Sequence, residues 1–216
     1  MESENIFIVG DLHGCLNMLV RLIEKIPWRP DKDRLIFIGD YIDRGENPKG
    51  VVDYILSLQK GSQNVECLLG NHEAMFLDFL DGKNRDLFIM NGGWTTLESY
   101  GARNWVEEDP SVPSDHLAFY GSLKHYIELH DYYVVHAGFR PEVSVEDQQL
   151  KDMLWIRYKF IYSDYDFGKK VIFGHTEFDK PLILVNKIGI DTGAVRENTL
   201  TCLQLPEMKF HSVAHS

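Results

Sequence analysis

Short apolar runs rich in Ile, Val and Phe recur along the N-terminal two-thirds of the chain, each closed by a Gly-Asp or Gly-Asn turn and followed by a stretch with helical spacing. That rhythm is the pattern of βα units and predicts a mixed α/β fold. Ile6 to Val9 reads as a first strand ending in Gly10-Asp11, and Leu16 to Ile26 as a helix with Leu16, Leu19, Val20 and Ile23 on one face, stopped by Pro27. Leu35 to Ile38 is a second strand, ending in Gly39-Asp40. Asn47 before Pro48 then supplies an N-cap with proline at the first helical position, opening a helix through about Leu58. Val65 to Leu69 is a third strand, closed by Gly70-Asn71 and followed by a helix.

From about Gly82 to His130 the rhythm breaks, with Asn91-Gly92-Gly93 and Glu107 to Pro113 as loop signals around helices. We expect one domain spanning residues 1–216, with an insertion at 82–130 lying over the site. Tyr132 to Val135 is a strand running into His136-Ala137-Gly138, Asp147 to Tyr162 is expected to be helical, and Val171 to Phe173 runs into Gly174-His175. Leu182 to Val185 and Ile188 to Ile190 flank Asn186-Lys187 as a hairpin, Gly189 to Ala194 is expected to turn near the site, and Thr199 to Leu203 reads as the last strand.

With 216 residues and 44% hydrophobic positions, the chain has material for a sizeable core. Its 22 Lys and Arg against 33 Asp and Glu leave a net charge of −11, which disfavours extended nucleic-acid binding. No apolar run approaches the roughly 20 residues of a membrane span, and Met1 to Gly10 lacks the basic region and cleavage site of a signal peptide. A cytoplasmic location without membrane association is expected. Cys15, Cys67 and Cys202 are odd in number and widely spaced, which suggests neither a disulfide framework nor a thiolate zinc site. Cys15, near a helix start, is a candidate for oxidation, with packing the simpler role.

Five separate strand ends deliver polar residues: Asp11 and His13; Asp40, Asp43 and Arg44; Asn71 and His72; His136; and His175. Ligands of open α/β sheets bind at the carboxyl ends of strands, so these groups can converge in one crevice. Imidazole, carboxylate and amide donors without thiolate suit manganese, iron or zinc better than calcium. Asp40, at the end of the neighbouring strand, is the natural bridging carboxylate for two ions. Residue by residue, a Gly-Asp turn is more often a simple cap; jointly the five strand ends favour a metal site. His72 stays open between ligand and acid. His116, His125, His130, His211 and His215 lack such context and read as surface or packing residues, as aromatic residues such as Trp94, Trp105 and Trp155 read as core more readily than as a substrate groove.

The segments GDLHG at Gly10 to Gly14, GDYIDRG at Gly39 to Gly45, GNHE at Gly70 to Glu73, HAG at His136 to Gly138 and GHT at Gly174 to Thr176 resemble the ordered motif set of the phosphoprotein phosphatase family of metallophosphoesterases. The resemblance spans Asn5 to about Thr201. With NGGW at Asn91 to Trp94 and DTGAV at Asp191 to Val195, it is to the compact bacterial and lambda phage type. It implies a two-sheet β-sandwich flanked by helices. It further implies two divalent ions, manganese first with iron or zinc as alternatives: Asp11, His13 and Asp40 on one, and Asp40, Asn71, His136 and His175 on the other.

Water shared by the two ions would act as hydroxide on the phosphorus. By the same resemblance His72 is the general acid, Asp43 orients it, and Arg44, Asn71 and Arg157 hold the phosphate, Arg157 on the looser LWIR match. The expected activity is phosphoserine and phosphothreonine hydrolysis on proteins, with a phosphorylated small molecule as the other substrate class and a monomer as the simplest assembly. One alternative is symmetrical dinucleoside polyphosphate hydrolysis, against which Glu73 in GNHE leans, that group tending to carry aspartate there. A catalytically dead phosphoprotein-binding module is the non-enzyme alternative, disfavoured by the complete ligand set.

Overall fold

The computed structural model describes residues 4–103 and 110–215. Two five-stranded sheets form its centre. In the first, β1 (Ile6–Val9), β2 (Arg34–Phe37) and β3 (Val65–Cys67) run parallel, and β9 (Thr199–Leu205) pairs antiparallel with β1 and carries β10 (Lys209–Ala214) at its edge. In the second, β5 (Tyr132–Val135), β6 (Lys170–Phe173) and β8 (Lys187–Gly189) are parallel, with β4 (Tyr126–Glu128) and β7 (Leu182–Ile183) antiparallel on the two edges.

The period of two along each strand decides which layer a residue joins. Ile8, Ile36, Val134, Ile172 and Ile188 pack between the sheets. Their neighbours Phe7, Val9, Leu35 and Phe37 face a helical layer on the far side of the first sheet, and Tyr133, Val135, Val171 and Phe173 face one beyond the second. Burial on both faces is why these strands read as unbroken apolar runs.

α1 (Leu16–Lys25), α2 (Pro48–Gly61) and α3 (Asn71–Leu80) follow the three parallel strands, and Asn47 Oδ1 caps α2 by accepting the Gly50 N–H at 3.0 Å. Within residues 82–130, α4 (Arg85–Phe88), a π-turn over Ile89–Gly93 and α5 (Trp94–Ser99) lead to α6 (Ser114–Gly121), whose Phe119 and Tyr120 pack in the helical layer of the first sheet. His116 is buried there between Asp53 and Tyr100. Trp105 and residues 107–109 of the 107–113 loop signal lie outside the described residues.

The helix expected over 147–162 is divided. A 3-10 turn (Val145–Asp147), α7 (Leu150–Trp155) and α8 (Tyr158–Ile161) are separated by extended Ile156 and by Arg157 at φ −129° and ψ −109°. Two strands, β4 and β10, are additions to the sequence reading. β10 alternates exposed with buried positions, so it lacks the unbroken apolar run of the inner strands. No helix among the described residues is long and apolar enough to cross a membrane.

Candidate metal centre

The strand ends meet at the mouth between the two sheets, and the backbone there is unusual. His13, Asp40, Asp43, Arg44 and His175 all hold positive φ, between 42° and 71°. Side chains rarely adopt this left-handed region, and such residues gather where a turn must aim functional groups. Two glycines admit the carboxylates: a Cβ on Gly70 would collide with Asp40 Oδ1, and one on Gly174 with Asp11 Oδ1.

Asp40 stands at the centre, its two oxygens divided. Oδ2 lies 3.4 Å from His13 Nε2 and 4.0 Å from His72 Nε2, while Oδ1 lies 3.4 Å from His136 Nε2. Among the described residues, His13, Asp40 and His72 form one group able to converge on an ion, and Asp40, His136 and His175 another. Asn71 Oδ1 adjoins the second, 3.0 Å from His136 Nε2. Asp11 completes neither trio. Its Oδ2 accepts the His175 backbone N–H at 3.0 Å, which leaves Oδ1 as the oxygen that could meet an ion beside His13.

Several observations fit divalent cations. His13 Nδ1 meets the Ile42 carbonyl and His136 Nδ1 the Ile38 carbonyl, both at 2.9 Å, so each ring keeps its proton on Nδ1 and aims an Nε2 lone pair at Asp40. His136 Nε2 faces the Asp40 and Asn71 oxygens, a contact that needs a positive charge between them, while His13 Nε2 also takes an N–H from Arg44. Burial disfavours a proton as that charge: it pushes His13 down to about 3 and His175 to about 2, and lowers His136 as well. Burial, then Asp191 and Asp40, push Asp11 well above the usual carboxylate range, as expected of crowded acids that await a cation. Asp11 Oδ1 and His175 Nε2 are buried without a hydrogen-bond partner among the described residues.

Behind this cluster His72 Nδ1 bonds Asp43 Oδ2 at 2.5 Å. Burial opposes charge on His72, but Asp40 and Asp43 outweigh it and raise its pKa. Arg44 forks across the rings, Nη1 to His13 Nε2 at 2.8 Å and Nη2 to His72 Nε2 at 2.9 Å. A protonated His72 cannot accept that N–H, so the Arg44 contact and the charged ring exclude each other. Arg157, released from helical geometry, donates to the His175 carbonyl at 2.8 Å and to Thr176 Oγ1 at 3.3 Å. Both arginines line a cavity of about 340 Å³ with His13, Asp40, Asn71, His72 and His175.

Three residues escaped the sequence reading of the site. Thr96 Oγ1 donates to Asp43 Oδ1, and Asp191 lines the cavity, its carboxyl pushed up to about 7 by burial. Glu73, treated as a hint about substrate, is fully buried under the 40–42 turn and accepts the N–H groups of Asp40 at 2.9 Å, Tyr41 at 2.8 Å and Gly70 at 3.1 Å. It shapes the turn and faces no substrate, so it carries no weight against nucleotide hydrolysis.

Residues 4–203 match the family profile of the calcineurin-like phosphoesterases. Among curated relatives, an asymmetrical bis(5′-nucleosyl)-tetraphosphatase PrpE of Bacillus thuringiensis is 28% identical, with 97% of this chain and 94% of the relative covered. A Geobacillus protein of the same name is 29% identical at the same coverage. A crystal structure provisionally assigned as a diadenosine tetraphosphatase superposes with a TM-score of 0.78 at 22% identity, covering 99% of this chain and 95% of that one. A Saccharomyces cerevisiae protein serine/threonine phosphatase gives a TM-score of 0.68 at 15% identity, covering 99% and 81%. At such identities the structures attest the shared sandwich and no more. With the profile spanning nearly the whole sequence and the donor set drawn from its strand ends, the chain belongs to the calcineurin-like metallophosphoesterases and is a hydrolase of that family.

Proposed function

We propose that the chain hydrolyses dinucleoside polyphosphates, cleaving diadenosine tetraphosphate asymmetrically to ATP and AMP. The observation that carries the chemistry is Asp40, shared between two ligand clusters in a cavity that also presents Arg44 and Arg157. The nucleotide side is supported by the full-length likeness to relatives named asymmetrical tetraphosphatases. This replaces two expectations from sequence: phosphoprotein hydrolysis as the first choice, since ligands, acid and arginines serve either substrate, and symmetrical cleavage of the dinucleotide.

In this reading Asp11, His13 and Asp40 would hold one ion, and Asp40, Asn71, His136 and His175 the other. Bound divalent ions, manganese by the nitrogen and oxygen donor set, supply a water nucleophile at neutral pH and charge neutralisation on phosphoryl oxygens. One lone pair serves one partner, so a His13 Nε2 that held an ion would leave Arg44 Nη1 for the phosphate. Arg44 and Arg157 then fork onto phosphoryl oxygens that gain charge in the transition state. Arg44 leaving His72 Nε2 lets that ring carry a proton, which it delivers to the bridging oxygen as the P–O bond breaks and the water oxygen bonds phosphorus.

Chromatography of the products of manganese-loaded protein tests this reading against its rivals. Equal ATP and AMP from diadenosine tetraphosphate, well ahead of phosphate release from a phosphoserine peptide, is the expected result. Two ADP would overturn the position of cleavage, and preference for the peptide would overturn the substrate class.

A further inference from the structure

An aromatic ledge stands at the rim of the cavity with no part in the core. Trp155 is 39% exposed, Tyr158 60% and Tyr162 78%. Their spacing of three and four residues is that of a core stripe, yet Met153, Leu154, Ile156, Phe160 and Ile161 already fill the core from this segment. Trp155 ends α7 before the break at Ile156 and Arg157, and Tyr158 opens α8 after it. Trp155 and Tyr158 line the same cavity as Arg157 and the ligand cluster, and Trp155 stands edge-on to the His175 ring at 5.9 Å and 84°. Tyr158 continues outward, stacked on Tyr162 at 5.5 Å and 18°.

Singly exposed aromatic residues are ordinary, but a contiguous group beside a charged cavity marks a binding surface. Resting on the nucleotide reading above, we propose that this ledge is the nucleobase subsite, where a base joined to the phosphate at Arg157 stacks on Trp155 and Tyr158. Arg157 lies between the two rings in sequence, so a phosphate on its guanidinium keeps the attached nucleoside beside them. Charge points the same way. A chain of net charge −11, with Glu177 and Asp191 on the cavity wall, repels a polyphosphate at long range. Stacking on rigid aromatic faces supplies attraction that does not depend on charge, and it tolerates different bases because each has a π-face.

The test compares binding of adenosine 5′-phosphate and of inorganic phosphate to the manganese-loaded protein by calorimetry, which needs no turnover. The wild type is expected to prefer the nucleotide, and Trp155→Ala and Tyr158→Ala each to cut that preference by about 5- to 150-fold, the span of one base stack, with Trp155→Phe keeping most of it. Should an alanine variant fail to fold, wild-type tryptophan fluorescence decides the same point: quenching by adenosine 5′-phosphate but not by phosphate, absent in Trp155→Phe, supports the subsite. Equal wild-type affinities, a preference that survives both alanine variants, or tighter binding of phenyl phosphate than of the nucleotide would overturn it. The two readings fail separately. Preference without hydrolysis of diadenosine tetraphosphate leaves the ledge and removes the activity; hydrolysis with a preference indifferent to the ledge does the reverse.

Discussion

Thr96 and Asp43 lock each other across 53 residues of sequence: the Thr96 hydroxyl donates to Asp43 Oδ1 at 2.5 Å, and the Asp43 backbone N–H donates to Thr96 Oγ1 at 2.9 Å. Both are fully buried. One carboxylate oxygen is thereby committed, which leaves Oδ2 for His72 Nδ1 and fixes the orientation of that ring.

Thr96→Val should lower kcat by about 10- to 100-fold, the usual effect of losing a partner that orients a site residue, while metal content and KM stay near wild type. Thr96→Ser, which keeps the hydroxyl, should recover most of the rate. A serine variant as slow as the valine variant would show that the methyl group's packing matters instead of the hydrogen bond.

Asp40→Asn should disturb both clusters at once. The change turns one oxygen into an N–H donor facing imidazole lone pairs, so retained metal measured by elemental analysis after dialysis should fall well below two ions per chain, and activity by on the order of 10²-fold or more. Two retained ions would remove the bridging role.

Much of this centre was legible because its ligands close strands: the apolar runs locate Asp11, Asp40, Asn71, His136 and His175, and the fold brings strand ends together. Thr96, Asp191 and the scaffold role of Glu73 were not. Thr96 lies inside a short helix, and its partner is set by how α5 packs, which no local pattern encodes. The divided helix was hidden for a related reason. No glycine or proline marks Ile156-Arg157, and the arginine's bond to the His175 carbonyl is a tertiary contact. Trp155 carried the spacing of a core residue, and only the packing of Met153 and Leu154 shows it to be surplus.

Arg157→Ala should lower kcat/KM by about 10- to 100-fold on diadenosine tetraphosphate, with weaker inorganic phosphate binding, and Arg157→Lys should rescue little because a point charge cannot reproduce a planar fork. Calorimetry with phosphate checks the cause. Wild-type phosphate affinity in the alanine variant would confine Arg157 to holding the 175–176 turn.

Away from the site, Asp33 should govern acid stability. Fully buried ahead of β2, it accepts the Asn5 N–H at 3.0 Å, the Arg29 N–H at 2.9 Å, and Arg29 Nε and Nη2 at 2.8 Å each. The Arg29 guanidinium first, with the backbone donors, holds the carboxyl well below its ordinary value against the opposing effect of burial. A depressed folded pKa means stability that is present above the unfolded value near 4 and lost as pH falls through the folded value. Asp33→Asn replaces an acceptor by a donor that faces Arg29, so it should cost about 2 kcal/mol at pH 7, the scale of hydrogen bonds to a charged group. In urea denaturation the gap between wild type and variant should be full at pH 7 and narrower at pH 3, where the unfolded chain has begun to take up the proton. A gap of equal size at both would show that Asp33 contributes by shape and neutral hydrogen bonds alone.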